Sequence, residues 1–211
     1  MSIGDKALTK DVFRTRRANI IGAECYKRFA VFVPILYKNG EPVLLFETRA
    51  ESLRQQPGEI CFPGGRLEPT ESPEACAVRE TIEELLIPES SIQIYGPGDL
   101  FISPFNFIIH PYIGRLDGYD GRFNADEVAE TFTVPLDLFR NQEPEAFACP
   151  VVSAPNGDFP YERIPGGQHY NWHVGSQEIL FYQYDDEHLI WGITAQIVRS
   201  AVRLIDAYNL T

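Results

Sequence analysis

GRLEPTESPEACAVRETIEELLI, Gly65 to Ile87, places Glu80, Glu83 and Glu84 beside Arg79 on one predicted helix. Ser72 offers a capping hydroxyl, and Pro73 a first helical residue whose missing N–H costs nothing there, so the helix is expected to begin at Pro73. Ala75, Val78, Ile82, Leu85 and Leu86 recur at three-and-four spacing, which predicts the buried stripe and leaves the three glutamates another face to share. Glu80 is three residues from Glu83 and four from Glu84, so their Cβ atoms stand roughly 5–6 Å apart and repel as bare anions. A divalent cation removes that penalty. Oxygen ligands without His or Cys in the set favour Mg2+ or Mn2+ over zinc, and magnesium is commonly held by a few carboxylates, water and substrate phosphates. Glu80, Glu83 and Glu84 are therefore the candidate metal ligands.

The residues before the helix supply the rest of the unit. Phe62-Pro63-Gly64-Gly65 follows an apolar, strand-like segment, and Gly64 and Gly65 permit a close backbone approach to a ligand or metal. Gly65, Glu71 and the run Arg79-Glu80-Thr81-Ile82-Glu83-Glu84, at these spacings, resemble the Nudix box of hydrolases that act on a nucleoside diphosphate linked to another moiety. The resemblance implies an α/β fold, an α/β/α sandwich with a mixed β-sheet, and metal-dependent hydrolysis of a diphosphate. It implies that Arg79 orients the carboxylates, and that Glu71 either pairs with Arg79 or approaches the metal. Two positions depart from the pattern: Thr81 stands where an aliphatic residue is common, and Leu86 where glycine usually closes the helix. Without that glycine the helix is expected to stop instead at Pro88, which disfavours helical geometry in Ile87.

Further upstream, Leu45-Phe46-Glu47-Thr48-Arg49-Ala50, then Arg54, Gly58 and Phe62-Pro63-Gly64-Gly65, are similar to an additional signature of Nudix enzymes that hydrolyse coenzyme A. Glu47 replaces a usual threonine. Guanidinium groups suit phosphate oxygens through paired, charge-assisted hydrogen bonds, and coenzyme A carries a 3′-phosphate besides its diphosphate. Arg49 and Arg54, with Gly58, Gly64 and Gly65, are the substrate-binding candidates; the alternative is that both arginines are ion-pair partners of Glu47, Glu51 or Glu59. Asn124 to Glu130 before Phe132, and Ile190 to Ala195, resemble further segments of the same branch. The family commonly needs a carboxylate outside the box, as metal ligand or as base for water, and Glu127 and Glu130 are the candidates. The implied reaction is cleavage of coenzyme A or its derivatives to 4′-phosphopantetheine and adenosine 3′,5′-bisphosphate. ADP-ribose or a dinucleotide as substrate, and a non-catalytic nucleotide sensor, are the alternatives.

Composition fits a single domain over residues 1–211, with 44% hydrophobic residues to build its core. A net charge of −12 argues against nucleic-acid binding, which draws on basic surface and counterion release. The expected partner is a small nucleoside diphosphate derivative, which a metal and local arginines can hold against the overall charge. Arg14, Arg16, Arg17, Lys27 and Arg28 are the main basic concentration. Charged residues near Met1 interrupt any secretory signal and no run is long enough to span a membrane. Cys25, Cys61, Cys76 and Cys149 are widely spaced and expected to be reduced thiols, consistent with a cytoplasmic location.

Apolar patterning predicts strands over Phe29 to Tyr37 and Val43 to Glu47 joined by a turn, then Ile92 to Tyr95, Phe107 to Leu116, Val128 to Val134 and Ile179 to Tyr184. A second long helix is expected from Ile193 to Tyr208. Residues 141–175, rich in Pro, Gly and aromatics, read as a long loop insertion that could serve as lid, binding loop or homodimer contact. Tyr161, Tyr170, Trp172 and His173 could stack on adenine or line a pantetheine channel, while His169 and His173 are equally plausible surface residues.

Overall fold

A computed structural model describes Thr15 and residues 19–211. Arg14, Arg16 and Arg17 of the basic concentration lie outside the described residues. The chain opens with a β-hairpin, β1 (Lys27–Lys38) and β2 (Glu41–Arg49), in which Lys38 faces Glu41. Only Asn39 and Gly40 remain for the turn, at φ 54° and 88°, the left-handed pair that matches the twist of the strands.

Short β3 (Ile60–Cys61) and β4 (Gly64–Arg66) come next, followed by helix α1 (Pro73–Leu85). The chain continues through β5 (Ile92–Pro97), β6 (Phe101–Ser103), β7 (Phe107–Leu116) and β8 (Val128–Pro135). Together β1 to β8 form one eight-stranded sheet with the central order β3-β2-β1-β7-β5; β4 pairs with β1, β6 with β7 and β8 with β2. It is a mixed sheet, since β7 runs parallel to β1 while β2 runs antiparallel to it.

After the short helix α2 (Leu136–Asn141), β9 (Glu145–Val152), β10 (Val174–Gln183) and β11 (Leu189–Trp191) make a separate three-stranded sheet ordered β11-β10-β9. Helix α3 (Gly192–Tyr208) ends the fold.

Strand alternation divides the interior into two cores. Val33, Ile35, Leu44 and Phe46 pack with Ala195, Val198, Ala201 and Ile205 of α3. Ala30, Phe32, Val43 and Leu45 point the other way, against Cys76, Ala77 and Leu85 of α1. A helix thus covers each face of the sheet, the α/β/α layering expected.

Two expectations need correction. The stretch 141–175 is not wholly loop: β9 takes Glu145 to Val152, pairing with β10 from Phe181↔Glu145 to Val174↔Val152. Pairing satisfies backbone groups that composition alone had assigned to irregular chain, and the loop narrows to 153–173. Helix α1 closes at Leu85, with Leu86 itself in the left-handed conformation at φ 52° and ψ 42°. Leucine thus adopts the geometry glycine usually supplies, instead of letting the helix run to Pro88.

Candidate active site

The acidic helix is set by its cap and by two glycines. Ser72 Oγ accepts from the Ala75 N–H at 3.1 Å, fixing the start at Pro73. Strand β4 lies along β1 with Gly65 opposite Ala30 and Gly64 opposite Val31. A Cβ on Gly64 would strike the Ala30 carbonyl and come within 2.6 Å of Val31 Cα. At Gly65 a Cβ would occupy the space of the Glu80 carboxylate. The absent side chains thus admit the sheet on one side and the helix's acid on the other.

Which face of α1 turns inward differs from the amphipathic expectation. Cys76, Ala77, Thr81, Glu84 and Leu85 are buried, whereas Ala75 and Leu86 are exposed. Polar members of that face have internal partners: Thr81 Oγ1 donates to the Ala77 carbonyl at 2.7 Å, the Cys76 thiol to the Gly65 carbonyl at 3.6 Å, and Gly64 N–H donates to Glu84 Oε2 at 2.8 Å. The aliphatic stripe misled because hydrogen bonding made a Thr and a Glu admissible in the interface.

Arg79 gathers the remaining acids. Its Nε donates to Glu71 Oε1 at 2.9 Å and its Nη2 to Glu71 Oε2 at 3.1 Å, a two-pronged pair, while Nη1 lies 2.9 Å from Glu80 Oε1 and 3.2 Å from Glu83 Oε2. Of the two roles open to Glu71, pairing with Arg79 is the one found. Hydrogen bonding to Arg79 holds the Glu71 carboxyl down at about 2. The three box carboxylates do not converge on one point: Glu83 is exposed and turned to Arg79, while Glu84 is buried against Gly64.

Sequence reasoning gave Glu47 no site role. It lies on β2 at 0% exposure, on the same side as Val43 and Leu45 and hence toward α1. Burial foremost, and then the negative charge of Glu47, raise the Glu84 carboxyl above its ordinary value; Glu80 and Glu127 add to the effect and the Gly64 N–H opposes it. Glu47 is itself raised, chiefly by burial. The alternation of Val43, Leu45 and Glu47 along a strand leading to the glycine loop was the signal available.

Glu127 stands within electrostatic reach of Glu47, Glu80 and Glu84. Its loop is pinned at both sides, by Asn124 N–H to the Glu84 carbonyl at 2.8 Å and by Ala50 N–H to the Glu127 carbonyl at 2.9 Å. Glu130 is exposed and faces His188 Nε2 at 3.5 Å. A shift of register between Thr48 and Arg49 marks a bulge at the end of β2. Beyond it Arg49 Nε donates to the Gln55 carbonyl at 3.4 Å, and the Gly58 N–H donates to the Arg49 carbonyl at 3.0 Å. Arg54 is exposed, and among the described residues neither arginine forms the ion pair with Glu47, Glu51 or Glu59 that was the alternative. In the 153–173 loop, Tyr161 and Trp172 pack edge-on against Phe159, and Tyr170 against Trp172, at ring separations of 5.0, 5.6 and 4.9 Å. His169 and His173 are on the surface.

Among the described residues no three His, Cys, Asp or Glu side chains already form a metal cluster. Arg79 accounts for this by drawing Glu80 and Glu83 to itself. The donor chemistry fits a hard divalent cation: Glu80, Glu83 and Glu84 offer oxygen, and Glu47 Oε2 is a buried acceptor with no hydrogen-bond partner.

A mixed sheet between helices, with the glycine turn leading into an arginine-braced acidic helix, defines a Nudix-type hydrolase. A NUDIX domain model matches residues 26–149, and the chain belongs to that family, whose hydrolases act on pyrophosphate bonds and generally use divalent metal ions. It is 32% identical over 180 residues, 83% of each chain, to a protein of Photorhabdus laumondii subsp. laumondii described as an uncharacterized Nudix hydrolase, NudL. Over 134 residues, 63% of this chain and 56% of the other, it is 33% identical to a peroxisomal coenzyme A diphosphatase, NUDT7, of Mus musculus. The alignment thus spans little more than half of the mouse protein. A MutT/nudix family protein from Enterococcus faecalis gives a TM-score of 0.51 at 15% identity, covering 92% of this chain and 66% of that one, a likeness of fold.

Proposed function

We propose that this protein hydrolyses the diphosphate of coenzyme A or its derivatives, yielding 4′-phosphopantetheine and adenosine 3′,5′-bisphosphate. The observation that carries the substrate is the pair Arg49 and Arg54, tied into no ion pair among the described residues and standing on the segment that leads into the glycine turn. Two such groups can answer phosphate oxygens beyond those at the hydrolysed bond. Likeness to the mouse coenzyme A diphosphatase supports the same choice.

Glu80, Glu83 and Glu84 would hold Mg2+ or Mn2+. The chemistry supplied by such a cation would be Lewis-acid stabilisation of charge on the diphosphate and easier deprotonation of the attacking water. Arg79 keeps the acids in place from behind. Glu127, on its pinned loop, accepts the proton of the attacking water; Glu130 is the less suited of the pair because it is directed to His188. The water oxygen joins one phosphorus, and the bridging oxygen leaves with the other phosphate. Gly64 admits the close approach of β1, Gly65 leaves room for the Glu80 carboxylate, and Gly58 shapes the turn that carries the arginines. Positioning and electrostatic stabilisation suffice for such a transfer without a covalent nucleophile.

The test is incubation of the protein and Mg2+ or Mn2+ with coenzyme A, ADP-ribose, NADH and 8-oxo-dGTP, with products identified by mass. Coenzyme A is expected to be cleaved preferentially. Preferential cleavage of ADP-ribose would overturn the substrate, and no turnover across a wider diphosphate panel would favour a sensor. Glu84→Gln is expected to lower kcat by about a hundredfold or more; full activity with unchanged metal affinity would remove the cation site.

A further inference from the structure

We propose that Glu47 is a ligand of the catalytic cation, a carboxylate delivered by the sheet to meet those of the acidic helix. The proposal rests on the cation-site reading above and adds to it a residue outside the box.

Placement comes first. Val43 and Leu45 point to the core beneath α1, Leu44 and Phe46 to the core beneath α3, and Glu47 continues the first series. Its register neighbours are Cys61 of β3 and Thr131 of β8, so the carboxylate is enclosed by strands on both sides and by the helix above. Glu47 Oε1 accepts from the Cys61 thiol at 3.4 Å. Glu47 Oε2 is the one buried side-chain oxygen or nitrogen among the described residues that lacks a partner.

Charge supplies the second line. The acids that bear on Glu47 and its neighbour Glu84 are Glu80 and Glu127, and the one cation that bears on Glu47 is Arg49. Arg49 forms no ion pair with it, and the Arg79 guanidinium is engaged by Glu71, Glu80 and Glu83. Glu47, Glu84 and Glu127 therefore form no ion pair among the described residues. An enclosed carboxylate with one oxygen left unpartnered is disfavoured as an anion, so it either takes up a proton or meets a positive partner. A divalent cation between the helix acids and Oε2 provides it, and hard oxygen donors suit Mg2+ or Mn2+. Glu47→Thr is a substitution that a strand accepts.

The experiment is titration of the metal-free protein with Mn2+, followed by electron paramagnetic resonance, on wild type, Glu47→Thr, Glu47→Gln and Glu84→Gln, each checked for fold by circular dichroism. Glu47→Gln keeps shape and volume should the threonine variant fail to fold. Both Glu47 variants are expected to bind Mn2+ at least tenfold more weakly than wild type. Wild-type affinity in either folded variant, with binding lost in Glu84→Gln, would overturn the role of Glu47 and leave the box site standing. Absence of Mn2+ binding by wild type would overturn both. Anomalous density from Mn2+-soaked wild-type crystals needs no substitution: a peak within about 2.1 Å of Glu47 Oε2 is expected, and a peak bonded to the helix acids alone would overturn the inference.

Discussion

Glu71 and Arg79 show how one ion pair sets the geometry of several acids. The two-pronged contact, at 2.9 and 3.1 Å, fixes the guanidinium, whose remaining face meets Glu80 and Glu83. Because hydrogen bonding to Arg79 lowers the Glu71 carboxyl from 4.5 to about 2 in the folded state, the folded form holds fewer protons than the unfolded form between those values. Its contribution to stability is full above about pH 4.5 and is lost as pH falls toward 2. Glu71→Gln is expected to cost on the order of 1 kcal/mol at pH 7, with the difference from wild type vanishing only as pH falls through about 2. Urea unfolding across that range measures it; a difference that persists in acid would assign the effect to packing. The box residues were legible because spacing identifies them. Glu47 was not, since a lone acid in a strand declares itself only once the partner beneath it is known.

At the scale of elements, the start of α1 followed from Ser72 and Pro73, while its buried face did not follow from the aliphatic stripe. Hydrogen bonds from Thr81, Cys76 and Gly64 decide that face, and two of them cross to β4, whose position no local pattern records. The end of α1 carries a cost. Leu86 sits at φ 52°, where a Cβ crowds the carbonyl oxygen, and its side chain is 50% exposed, so little burial offsets the strain. Leu86→Gly is expected to stabilise the protein by about 1 kcal/mol, read as a higher urea midpoint at unchanged slope. A lower midpoint would show that the leucine packs more than its exposure indicates.

For the whole molecule, the central sheet keeps two cores apart and presents the glycine turn and Glu47 beneath α1. The β9–β10–β11 sheet lies outside that arrangement except where Leu180, Tyr182 and Ile190 enter the core with α3. None of the residues 153–173 is buried. Replacing that loop by a short Asn-Gly turn is expected to leave the urea midpoint within about 0.5 kcal/mol of wild type, since surface changes away from packed features cost little. A larger loss would assign the aromatic cluster of Phe159, Tyr161, Tyr170 and Trp172 a structural part. Among the described residues no helix is long and apolar enough to cross a membrane.

What the sequence determined by itself is local. The hairpin turn at Asn39-Gly40, the helix cap at Ser72 and the family-marking pattern of Gly65, Glu71, Arg79, Glu80, Glu83 and Glu84 all depend on residues near one another in the chain, where conformational preference and spacing act directly. Tertiary structure alone decided that Glu47 is buried on the same side of the sheet as Glu84, that Glu127 is carried in by a loop pinned to α1 and to the residue after β2, and that Arg79 draws Glu80 and Glu83 to itself while Glu84 is buried against Gly64. These relations join residues distant along the chain, and their energies arise from burial and unscreened charge, which exist only after the sheet and helix have closed over them.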